Sequence, residues 1–215
     1  MILPNDRYTN IVSRPVKPRK RVVETLTEVF RELGYEGTSL SRLSEATGLK
    51  RASLYHRFPG GKQAMALAVL EHVAEAFQDD VLRPLSEKGD PAARVTRMGE
   101  RLRSFYADGR LSCLLDTLSV GDADPAVAEY VGALARGWIA AMQAVALEAE
   151  VPKQDALRRA ADAFAAVEGA LVLARATGDR SGFERAIASL PERLTAPDPT
   201  ANPPIANRHA KPSPG

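Results

Sequence analysis

Between Thr38 and Lys62 the chain reads TSLSRLSEATGLKRASLYHRFPGGK, and Lys50, Arg51, Ser53, Tyr55, His56 and Arg57 crowd into one short part of it. Cations, hydroxyls and an imidazole packed this closely suit the backbone of a nucleic acid, whose phosphate oxygens accept hydrogen bonds and attract positive charge. Leu54 and Phe58 are four residues apart. A helix through them buries both on one side and turns the polar set outward. Arg51 and Ser53 stand near the start of that helix, the end from which side chains reach base edges in a major groove. An arginine there suits a bidentate contact with guanine. Tyr55, Arg57 and, after the turn, Lys62 are placed for phosphates. The plainer alternative is an ordinary solvated basic face.

Such a helix needs a frame, and the preceding residues supply one. Val22, Leu26, Val29, Phe30 and Leu33 form one apolar stripe, which predicts a helix over 19–33 with Gly34 as its left-handed stop. Thr38 or Ser39 caps the next helix, where free backbone N–H groups and the helix dipole attract a phosphate. Its buried face is expected to be Leu40, Leu43 and Ala46. Gly48 supplies the positive φ of a sharp helix-to-helix turn, and Leu49 plugs the core beneath it. The third helix runs over about 50–58, and Pro59-Gly60-Gly61 breaks the chain.

Charge is distributed in the same sense. The chain of 215 residues carries a formal +2, but residues 1–62 hold 12 Lys/Arg against 6 Asp/Glu, and the remainder holds 17 against 21. A basic first part and a mildly acidic remainder place nucleic-acid binding in the first part only. No run of 18 or more apolar residues predicts a membrane span. Pro4 and Asp6 interrupt any secretory leader core, so a cytoplasmic protein is expected. One cysteine, Cys113, precludes an intramolecular disulfide or a multi-cysteine metal site. His56, His72 and His209 are too scattered to bind a metal. No catalytic triad, carboxylate pair, phosphate loop or metal motif appears at usable spacing. Neither an enzyme nor a cofactor is expected.

After Lys62 six further helices are expected, over about 62–79, 91–107, 111–120, 125–150, 154–177 and 181–194, for nine in all and no strand. The resulting organisation is all-α. It comprises a basic arm at 1–17, a three-helix DNA-binding head at 18–62, a helical body at 63–194, and a Pro-rich tail at 195–215 without core-forming residues. Trp138 and Met142, four apart, are candidates to line a cavity with Met98, Phe105, Cys113 and Leu114, and the alternative is packed core. A mostly apolar lining suits a hydrophobic or amphipathic ligand. Glu168 lies in an otherwise apolar stretch, where a buried charge is costly. It is either a contact at a subunit seam or a group that orients a ligand. Cys113 is either a redox sensor or a packing residue. The Ala- and Gly-rich run at 160–170 permits close helix approach, and with the last helix it makes a four-helix seam across a two-fold axis.

The spacing G34-Y35, then T38-S39-L40-x-x-L43-x-x-A46-x-G48-L49, then S53-L54-Y55-x-x-F58, then K62 resembles the N-terminal domain of the TetR family of bacterial transcriptional repressors. The stretch from Ser53 to Lys62, with a cysteine early in the body, is similar to the subgroup around the LmrA and YxaF regulators. The resemblance implies an all-helical head and an effector-binding body, dimeric through the last two helices. It implies binding to a palindromic double-stranded DNA operator and release when a small molecule enters the body. It places Thr38, Ser39, Tyr55 and Lys62 on phosphate-contacting positions and Arg51, Ala52 and Ser53 on base-reading ones. Lys50 departs from the serine usual at that position. It cannot cap the helix, although it can meet a phosphate directly. The extra glycine at 60–61 shifts Lys62 by one residue. The reading that follows is a homodimeric, ligand-responsive repressor with no membrane partner. A helical adaptor whose basic head binds an acidic protein is the alternative from another class.

Overall fold

Val22, Leu26 and Phe30 recur every fourth residue, and all three are buried along α1 (Arg19–Gly37). The computed structural model describes residues 17–120 and 124–197. The expected arm apart from Lys17, and the expected tail apart from residues 195–197, lie outside them. Gly34 takes φ +67° inside α1 and kinks it, as its expected role as a stop requires. A Cβ at this position would stand 2.8 Å from the Thr117 carbonyl oxygen, so at the kink α1 packs tightly against the Thr117 backbone. Leu33 is exposed, contrary to its place in the expected stripe, and Val23 is buried instead.

Nine α-helices and no strand make up the described residues, an all-α fold. α2 (Leu40–Thr47) and α3 (Arg51–Arg57) form the expected tight pair. Within α2 the buried positions are Leu43 and Thr47, whereas Ala46 is exposed, because the apolar face follows a four-residue step from Leu43. α4 (Gly61–Phe77) does not end in a loop near residue 79. It runs on as a π-helical turn (Gln78–Leu82) and a 3₁₀ turn (Arg83–Ser86). Buried Val81, Leu82 and Leu85 hold this stretch to the core. The Arg94 guanidinium secures it further, donating to the Leu85 carbonyl (3.0 Å), the Glu87 carbonyl (2.7 Å) and the Glu148 carboxylate.

α5 (Pro91–Phe105) begins at Asp90, whose carboxylate accepts from the Ala93 N–H at 2.8 Å. It ends two residues before the expected boundary, and Ala107, Asp108 and Gly109 then turn through positive φ. α6 is shorter than expected (Leu114–Ser119), which leaves Cys113 in extended backbone just before it. α7 (Pro125–Glu148) is capped by Asp124, as expected. It is the one described helix long and apolar enough to cross a membrane by length and composition. Trp138, Met142 and Val145 on it lie in the protein core. α8 (Lys153–Thr177) ends at Gly178. α9 (Ser181–Thr195) has Arg180 at its N-cap without a side-chain cap, so Ser181 is its first helical residue and not its cap. The Asp179 carboxylate accepts from the Ser181 N–H (2.8 Å) and hydroxyl (2.9 Å).

Two large buried clusters result, and they do not divide at residue 62. One joins α1–α4 to Leu114 and Leu118 of α6 and to Val127 and Val131 of α7. The other joins the π turn, the 3₁₀ turn and α5 to the rest of α7, α8 and α9. The head thus shares its core with α4, α6 and α7 of the body.

Candidate nucleic-acid interface and body cavity

Small polar residues latch the turn between α2 and α3. Ser44 Oγ donates to the Leu49 carbonyl at 2.6 Å, and Thr47 Oγ1 donates to the Leu43 carbonyl at 2.6 Å. Gly48 takes the required φ of +64°. Beneath the turn Leu43, Leu54 and Phe58 are buried against Leu26 and Phe30. The Arg19 guanidinium lies 5.2 Å from the Phe58 ring centroid and covers its outer side. With Leu54 inside, the other side of α3 faces out: Lys50, Arg51, Ala52, Tyr55 and His56 are exposed, and Ser53 is half-buried. Lys50 precedes α3 without making a side-chain cap. The Arg51 guanidinium donates to Ser41 Oγ of α2, so the two helices share a polar contact on their exposed side. Ser39 caps α2, its Oγ accepting from the Arg42 N–H at 3.3 Å.

Three expected contact residues have partners inside the chain. Thr38 is buried at 1% exposure, and its hydroxyl donates to the Gly34 carbonyl at 2.6 Å. That hydrogen bond closes the α1 kink. Arg57 Nη1 donates to the Lys17 carbonyl at 2.7 Å. Lys17 Nζ in turn donates to the Thr47 carbonyl at 2.6 Å, so residue 17 is clasped between the ends of α2 and α3. Lys62 Nζ donates to the Tyr35 carbonyl at 3.0 Å and lies 4.3 Å from the Tyr35 ring centroid.

Between α1 and the body lies a partly open cavity of about 170 Å³. Of the residues expected to line it, Phe105, Cys113, Leu114 and Trp138 do so. Met98 and Met142 are fully buried in the core behind it, which is the default place for methionine. Phe77 packs edge-on against Phe105 (5.2 Å between centroids) and Trp138 (4.8 Å). Glu168 is not in the wall. It sits beside Cys113, and its Oε1 is buried with no hydrogen-bond partner. Burial raises its pKa to about 7.

Cys113 accepts a hydrogen bond from the Tyr106 hydroxyl at 3.3 Å. Burial, and then the neighbouring Glu168 charge, push the thiol up to about 12. A thiol held protonated in this way is a poor nucleophile, so the structure favours packing over redox sensing for Cys113. Sequence reasoning missed Arg31, Phe77, Tyr106 and Leu134 in the wall. Arg31 is the least legible of these. It belongs to α1, where it reads as one more solvated cation, and it reaches the body only because α1 packs on α6. Its Nη1 donates to the Ser112 carbonyl at 2.6 Å.

Comparison with known proteins agrees with this arrangement. Residues 22–69 match the family described as bacterial regulatory proteins, tetR family. The HTH-type transcriptional regulator LmrA of Bacillus subtilis is 29% identical over 77 residues, covering 36% of this chain and 41% of LmrA. YxaF of the same organism, an uncharacterized HTH-type transcriptional regulator, is 26% identical over 77 residues, covering 36% of this chain and 40% of YxaF. The chain thus spans about two fifths of the length of these relatives. The likeness in fold extends over most of the chain. A TetR transcriptional regulator from Legionella pneumophila superposes with a TM-score of 0.74 at 19% identity, covering 84% of this chain and all of that one. Head sequence and whole-chain fold point the same way: residues 22–69 carry the domain of the tetR family of bacterial regulatory proteins, and the chain as a whole shares the fold of solved TetR regulators.

Proposed function

We propose that this protein is a ligand-responsive transcriptional regulator acting as a repressor. It binds a palindromic duplex operator as a homodimer and leaves it when a small hydrophobic effector occupies the body cavity. The observation that carries the reading is the division of α3, with Leu54 fully buried and Arg51, Ala52, Tyr55 and His56 exposed on a rigid latched turn. That is the presentation a recognition helix needs. Arg51, Ala52 and Ser53 read bases. Ser39, Lys50, Tyr55 and His56 meet phosphates. Thr38, Arg57 and Lys62 support the head from within. The names of LmrA and YxaF, both HTH-type transcriptional regulators, support the same role here.

The homodimer is supported by α8, which leaves Leu157, Val172 and Leu173 exposed beside the exposed small residues Ala165 and Gly169. An apolar face of this kind fits a second copy across a two-fold axis. A regulator of this class works in the cytoplasm and needs neither a cofactor nor catalytic chemistry.

Selection from a random duplex library, followed by binding titrations at several salt concentrations, tests the reading. A sequence-selective complex whose affinity falls steeply with salt is expected. Arg51→Ala should lose about 1–3 kcal/mol of discrimination at one base pair. Tyr55→Phe should weaken all sites alike. Absence of any salt-sensitive selective complex overturns the proposal.

A further inference from the structure

The polar groups in the cavity wall are mismatched in sign. Arg31 is the wall's only charged residue. Its guanidinium is largely withdrawn from water, and among the described residues it forms one hydrogen bond, to the Ser112 carbonyl, and no ion pair. A guanidinium carries five N–H donors, so most of its capacity is unused. Trp138 Nε1 is also a donor, and it is buried without an acceptor. The Tyr106 hydroxyl already donates to Cys113. The nearby carboxylates are otherwise placed: Glu168 stands beside Cys113 outside the wall, and Asp116 pairs with Arg175 at 2.9 Å. Gln78 adds a neutral amide. The wall therefore offers one cation, one unpaired indole N–H and one amide, and it holds no anion to meet the cation. A buried charge with no counter-ion is costly until one arrives.

The remaining surface is apolar and ringed. Phe77, Phe105 and Trp138 meet edge to face, the geometry in which another aromatic ring is also accepted. An apolar cavity of about 150 Å³ holds a benzene ring, and this one is about 170 Å³. Resting on the reading of this cavity as the effector site, we propose that its ligand is a small hydrophobic acid. One aromatic ring lies among Phe77, Phe105 and Trp138, and a short chain carries a carboxylate to Arg31. Since Arg31 belongs to α1, the ligand's charge meets the DNA-binding head directly, at the bond by which α1 holds the loop before α6.

Titration calorimetry on the full chain tests the assignment with three matched probes: phenylpropanoate, phenylpropanamide and phenylpropylamine, at neutral pH. The acid should bind about tenfold or more tightly than the amide, as a charge-assisted pair predicts, with the amine weakest. Arg31→Met should bring the acid down to the level of the amide while leaving the amide unchanged. Arg31→Lys should keep part of the acid preference, which preserves the test if the methionine variant does not fold. Tightest binding by the amine, equal binding by acid and amide, an acid preference that survives Arg31→Met, or no binding by any probe at millimolar concentration overturns the proposal. DNA release is measured separately. Acid binding that leaves DNA affinity unchanged upholds the ligand assignment and overturns the effector reading.

Discussion

The turn proposed to face DNA and the cavity proposed to take the effector are assembled over very different lengths of chain. The turn lies within residues 38–62, on helices adjacent in sequence. The cavity draws on α1, α4, the π turn, α5, α6 and α7, from Arg31 to Trp138. The first is fixed by local rules: a positive-φ glycine, a four-residue apolar step and small hydroxyl latches. The second exists only once six segments have packed. The difference also shows in chemistry. The turn places most of its polar groups in solvent, where they cost little. The cavity buries Trp138 Nε1 unpaired in its wall, with Glu168 Oε1 unpaired nearby, and excludes water from Cys113.

The sharpest test of that contrast asks whether the two regions are also separate in stability. The head's cluster extends through Leu114 and Leu118 into Val127 and Val131, which argues that they are not. Phe58→Ala should cost about 3–5 kcal/mol, as for a fully buried phenylalanine. Helical circular dichroism follows the whole chain, whereas fluorescence follows the body through Trp138, the only tryptophan. Denaturant transitions by the two probes should coincide in both wild type and variant, displaced together. If fluorescence lags behind ellipticity in the variant, the head melts alone and the shared core carries little energy.

A smaller effect separates the regions by pH. In the folded state burial holds Glu168 at about 7, against an ordinary 4.5. The folded state therefore binds a proton more tightly than the unfolded one, and stability falls as pH rises through that window. Below it the group contributes nothing, and above about pH 7 the penalty is complete. The shift corresponds to roughly 3 kcal/mol at most. Glu168→Gln should remove most of the loss between about pH 5 and pH 8 while changing stability little at the acid end. Chemical denaturation at the two pH values measures it. A slope that survives the substitution places the carboxylate in water.

The same contrast explains what was legible in the sequence. α3's inward pair and Gly48 follow from spacing alone, as does the cap at Asp124. In the head, the side chains that were not legible are those whose partners lie outside the local pattern. Thr38 looks like a cap until the Gly34 carbonyl is placed beside it, and Lys62 looks free until it folds back onto Tyr35. In the body, helix count and order were readable because Gly, Pro and Asp punctuate it. The continuation of α4 into π and 3₁₀ turns was not, since Arg83-Pro84 reads as a breaker and its stabilising partner, Arg94, is recruited by packing. Phe105 and Trp138 were found for the cavity on residue type. Arg31 carries no local mark of burial.

The smallest expected effect bears on the solvent side of the comparison. The Arg51 guanidinium donates to Ser41 Oγ, and both groups are exposed. An exposed hydrogen bond adds little to stability, so Ser41→Ala should leave the melting temperature within about a degree. Its value lies in orientation. It fixes a long side chain in one arrangement before DNA arrives, and so lowers the ordering cost of a bidentate contact. Affinity for the preferred site should fall by no more than about 1 kcal/mol. Discrimination should fall at the base pair that Arg51→Ala affects and at no other. Matched titrations against single-base variants of the selected site measure this. Full discrimination in Ser41→Ala, beside its loss in Arg51→Ala, would show that the arginine orients itself and that α2 lends only its backbone to the reading surface.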